Sequence, residues 1–120
     1  MDTSQRLQVE VHFTPTASGG RKTSVDLTTG SYRPHLITES SEHLGVVFVQ
    51  ATPAVAQPGN TAVAIVALMY PGVDYSALVP GAGFRVVEGS QVVATGRVLF
   101  AKQRDAKVLN GSIAACRDSL

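Results

Sequence analysis

Cysteine is almost missing from this chain. Cys116 stands alone among 120 residues, so no intrachain disulfide can form and no cysteine-rich zinc site can be assembled. Tryptophan is absent, and four Phe and three Tyr are all the large aromatics, which leaves Val, Leu, Ile and Ala to build the core. Charge of one sign is also lacking. Ten Lys and Arg against nine Asp and Glu give a formal net charge of +1, so nothing draws the chain as a whole toward phosphate. A nucleic-acid site would need its cations gathered on one face. The longest apolar run, Ala62 to Tyr70, is about half of the ~20 residues that a spanning helix requires. Met1-Asp2-Thr3-Ser4-Gln5-Arg6 has no apolar stretch of the secretion-signal kind. The expectation is a soluble protein of the reducing cytoplasm with no membrane partner. No G-x-x-x-x-G-K-[S/T] pattern occurs, which excludes a P-loop and with it a GTPase reading.

What is present is β-rich. Hydrophobic residues make up 44% and charged residues 16%, a balance that places the chain with folded domains, and its length suits one core. Leu7, Val9, Val11 and Phe13 alternate with Gln8, Glu10 and His12, which is the period of a half-buried strand. Residues 14–31, rich in Gly, Thr and Ser, read as a long loop or irregular hairpin. Further strands are predicted at Tyr32–Thr38, Leu44–Ala51, Thr61–Tyr70, Phe84–Val87 and Gln91–Ala101. Pro34 donates no amide hydrogen and marks an edge or a bulge. Pro58-Gly59-Asn60 suits a tight turn, Glu88-Gly89-Ser90 a hairpin, and Gly96 a bulge or bend. Six strands and no helix before residue 101 predict an all-β barrel or sandwich, and closure, which removes sticky edges, favours the barrel. Residues 103–120 form an extension that reads equally as a short helix or a further strand.

The turn clusters also fall in a distinctive order. Gly19-Gly20-Arg21-Lys22-Thr23 is followed by Gly30-Ser31-Tyr32-Arg33-Pro34, then Pro58-Gly59-Asn60, then the run Phe84 to Gly96. In this order they resemble the C-terminal (third) β-barrel domain of translation elongation factor Tu, over roughly residues 7–102 and as a stand-alone domain. The family's Gly-Gly-Arg-His-Thr stands here with Lys22 for His. Its Gly-Tyr-Arg-Pro-Gln-Phe stands with Ser31 inserted and His35 for Gln. The resemblance implies a six-stranded antiparallel β-barrel over residues 1–102, with no cofactor and no metal. In the family this barrel supports the GTPase domain and touches the backbone of aminoacyl-tRNA. Carried over position by position, the RNA-binding residues would be Arg21, Lys22, His35, Glu88 and Gly89. Leu44 replaces a threonine, Tyr70 a lysine and Val87 an arginine, which removes two cations and a hydroxyl from the phosphate-contacting set.

Catalysis needs a nucleophile with a base, paired carboxylates or a metal cluster. His12, His35 and His43 fall on different segments without metal-ligand spacing, and Glu39, Glu42 and His43 share a polar turn of ordinary solvated type. The chain therefore reads as noncatalytic, and a pocket joining a histidine to a carboxylate is what would favour an enzyme. The loop Gly19 to Thr23 offers amides and two cations for a phosphate, or is a plain hairpin tip. Arg33 either pairs with an anion or its segment pins the start of a strand. The strand 61–70 is apolar on both faces. Thr61, Val63, Ile65, Ala67 and Met69 line one; Ala62, Ala64, Val66, Leu68 and Tyr70 line the other. Either loops or the tail cover the second face, or it is a protein interface. The reading is a binding module that contacts another protein or a second copy of itself, with translation-linked tRNA binding as the alternative.

Overall fold

The computed structural model describes residues 5–103, Met69 and Pro71 excepted. The extension expected over 103–120 lies outside the described residues except for Gln103. Among the described residues, nine strands and one 3-10 turn (Thr16–Ser18) follow in order: β1 Gln5–Phe13, β2 Val25–Asp26, β3 His35–Thr38, β4 His43–Gly45, β5 Val47–Thr52, β6 Val55–Ala56, β7 Thr61–Leu68, β8 Gly83–Glu88 and β9 Gln91–Gln103. The chain is all-β, as predicted. Seven strands form one curled sheet of half-barrel form in the order β4-β3-β8-β9-β1-β7-β5, and β2 with β6 makes a small second sheet. Every pairing is antiparallel.

β4 and β5, the two ends of that order, are consecutive in the chain with only Val46 between them. The Val46 amide donates to the Pro34 carbonyl (3.2 Å) and the Phe48 amide to the Tyr32 carbonyl (3.0 Å). The residues ahead of β3 thus reach across to β5 through their carbonyls, the one role in a ladder that proline can fill. A single strand expected over Leu44–Ala51 is therefore two, interrupted at Val46.

The core lies inside the curl. Leu7, Val9, Val11 and Phe13 of β1 are all buried, which bears out the alternation. On β7 the register sets Leu7 opposite Val66, Val9 opposite Ala64 and Val11 opposite Ala62. The even residues of β7 therefore face inward: Ala62, Ala64, Val66 and Leu68 are buried in the core. This corrects the expectation that they form a protein interface. With both faces apolar, the strand's own pattern could not say which pointed in; its pairing with β1 decides. Of that set only Tyr70, just past the strand, is exposed.

Gly96 is also reassigned. The irregularities of β9 fall elsewhere, where Val93 is extra against β8 and Leu99 is extra against β1. Gly96 pairs in step with Val11 and Phe84, and a Cβ there would lie 2.8 Å from the Phe84 ring and would collide with the Glu10 carbonyl. The position needs close approach rather than a bend. Gly89 begins the two-residue β8–β9 turn with φ +61°, a conformation that glycine adopts without a Cβ penalty.

Candidate interaction site

The loop after β1 is fastened at both ends. Thr16 Oγ1 donates to the Arg21 carbonyl (2.6 Å), and Gln91 Nε2, at the start of β9, donates to the carbonyls of Gly19 (2.9 Å) and Gly20 (3.3 Å). This holds Arg21 over the end of β8. Its Nη1 donates to Glu88 Oε2, and its Nε donates to the Thr23 carbonyl at 3.1 Å. The guanidinium carbon also stands 5.8 Å from the centre of the Tyr32 ring, within cation–π range. Tyr32 closes the arrangement by donating its hydroxyl to the same Glu88 oxygen at 2.6 Å, while its ring tilts against buried Phe48. Burial, then the Glu88 hydrogen bond and the Glu88 charge, push the Tyr32 phenol far above its ordinary value, so it remains a donor. The Arg21 and Glu88 side chains are 21% and 29% exposed, enough screening from water for the pair to outweigh an ordinary surface bridge.

Of the five residues drawn from the resemblance, Arg21 and Glu88 touch each other, Lys22 and Gly89 are their exposed chain neighbours, and His35 sits on β3 in register with Val87. Five positions spread over 69 residues of sequence therefore gather around one end of β8. The amides of the two glycines are engaged within the loop: Gly19 donates to the Thr16 carbonyl and Gly20 to the Pro15 carbonyl, both at 3.0 Å. They do not form an open cradle for phosphate. Arg33 is exposed, with its Nε directed at the Gly30 carbonyl (3.3 Å). The central residue, Tyr32, was visible in sequence only as part of Tyr32-Arg33-Pro34; its partner Glu88 is 56 positions away.

A second surface lies on the outside of β5, β7, β1 and β9. Gln50, Ile65, Gln8 and Phe100 make one cross-strand row, and Thr52, Val63, Glu10 and Arg97 the next. Phe100 is 47% and Val63 37% exposed, with Ile65 half-buried between the glutamines. Beyond them a groove of about 350 Å³ is lined by Glu10, His12, Thr61, Thr95, Gly96 and Arg97. It brings a histidine and a carboxylate to one wall, but each has another partner. His12 Nδ1 hydrogen-bonds Thr61 Oγ1 at 2.9 Å, and Arg97 Nε donates to Glu10 Oε1 at 3.1 Å.

No protein-family model matches the chain, and no curated protein sequence matches it. Among the described residues, no helix is long and apolar enough to cross a membrane.

Proposed function

We propose that this protein is a noncatalytic binding module of the elongation factor Tu C-terminal type, acting by contact with another protein or with a second copy of itself. The kinship rests on the order of the turn clusters and on the curled antiparallel sheet; counted as one interrupted strand, β4 and β5 bring the strands around the curl to six. The observation that carries the interaction reading is the outer face of β7 and its neighbours, where Val63, Ile65 and Phe100 present apolar surface to water beside uncharged Gln8 and Gln50. Such a face is costly to leave wet and gains by being covered.

Light scattering across a concentration series, together with affinity capture with and without ribonuclease, tests this. Wild-type protein is expected to self-associate or to retain a ribonuclease-resistant partner, and Val63→Glu with Phe100→Ser is expected to abolish this while leaving the circular dichroism unchanged. A monomer at every concentration that captures no protein overturns the reading.

The gathering of Arg21, Lys22, His35, Glu88 and Gly89 at one end of β8 supports a second reading, translation-linked binding of aminoacyl-tRNA. It predicts affinity that falls with salt, each phosphate contact adding about 0.7–0.9 to the logarithmic slope. Arg21→Ala and Lys22→Ala should each reduce that slope if this reading holds.

A further inference from the structure

β3 and β4 form a hairpin whose alternate residues Leu36 and Leu44 are buried, so His35, Ile37, His43 and Gly45 project from its outer side. The register sets His35 opposite Gly45 and Ile37 opposite His43, which makes the two histidines a diagonal pair on one face. Both are exposed, and their rings meet edge to face with centroids 6.4 Å apart. Gly45 contributes no side chain beside His35. The Tyr70 ring packs there instead, 2.9 Å from where a Cβ of Gly45 would be, and His35 Nε2 lies 3.7 Å from the same point. His35 and His43 are eight positions apart in the sequence, so no short ligand motif announces them; the hairpin makes them neighbours.

We propose that His35 and His43 form a chelating pair for a divalent transition metal of the zinc class. Imidazole is the side chain most used for such ions. With a metal–nitrogen bond of about 2.0–2.1 Å and a ring nitrogen roughly 1.15 Å from the ring centre, a shared ion sits about 3.2 Å from each centroid. Two rings then reach one ion at centroid separations from about 5.2 Å, for a tetrahedral angle, to about 6.4 Å in a straight line. The observed separation is at the outer limit and the rings stand edge to face, so binding takes up about 1 Å and turns both exposed rings about their broad terminal torsions until one in-plane nitrogen of each aims at the ion. Among the described residues no group of three or more His, Cys, Asp or Glu side chains is arranged about a metal position. The remaining coordination places fall to water, so the site is open and exchangeable rather than a structural clamp. It stands independently of the interaction surface on β7.

Titrating the intact chain with Zn²⁺ alone, followed through the imidazole resonances of its three histidines, tests the assignment. The rings of His35 and His43 should move together and saturate at one ion per chain, while His12 stays in place. His35→Gln and His43→Gln should each weaken binding tenfold or more, and Cys116→Ser should leave it unchanged. A smaller loss from either histidine substitution overturns the proposal. Equal movement of His12, loss of binding in Cys116→Ser, or no saturable change at millimolar Zn²⁺ does the same.

Discussion

Glu88 accepts two hydrogen bonds on one oxygen, from a guanidinium and from a phenol, and both donors are partly removed from water. Glu88→Ala should therefore cost about 1–3 kcal/mol, since it strands two donors rather than one, and urea denaturation reads the loss directly. The same contact predicts a response to alkali. The Tyr32 phenol is raised in the folded state, so the folded chain holds its proton where the unfolded chain releases it. Its contribution is complete below the ordinary tyrosine value of about 10 and declines as pH rises beyond it. Tyr75 is raised too, chiefly by burial, so Tyr32→Phe should flatten the alkaline fall in stability without abolishing it. Following the melting temperature from pH 8 to 11 checks both sign and size. At Gly96 the constraint is steric. A Cβ would meet the Phe84 ring and the Glu10 carbonyl, so Gly96→Ala should destabilise by about 1–3 kcal/mol in thermal unfolding. The sequence marked Gly96 as special for a different reason, because a glycine within a strand pattern reads alike for a bulge and for close packing.

β7 is the element where pattern and structure part company, and it predicts an asymmetry between adjacent positions. Ala64 points into the core beside its β1 partner Val9, whereas Val63 stands outside beside Glu10. Ala64→Leu should cost about 1–3 kcal/mol by overpacking, while Val63→Thr should stay within about 0.5 kcal/mol. Comparable losses at the two sites would mean that the faces are wrongly assigned. β1 was legible from its residues because one face is polar; β7 was not, because neither is. β2 and β6 escaped notice for another reason, since strands of two residues are too short to show alternation. The break between β4 and β5 was hidden as well, because Val46 continues an apolar run that the break does not interrupt.

At the scale of the molecule, the all-β class and the Gly89 hairpin could be read from strand periodicity and turn residues, whereas the strand order could not. The candidate site shows the same division. Arg21 and Glu88 were singled out by their motifs, but their mutual engagement, the use of the Gly19 and Gly20 amides within the loop, and the histidine pair of the β3–β4 hairpin all depend on which strands become neighbours. That neighbourhood has one further result. β1 lies between β7 and β9, with His12 paired to Thr61 on one side and to Thr95 on the other. On a ribosome adding 5–20 residues per second, Thr95 emerges roughly 4–17 s after His12. For that interval β1 has at least one bare edge, with Val9 and Val11 on its apolar side. A nascent chain of this kind is open to chaperones, and to pairing with its neighbours on a polysome, until β9 arrives.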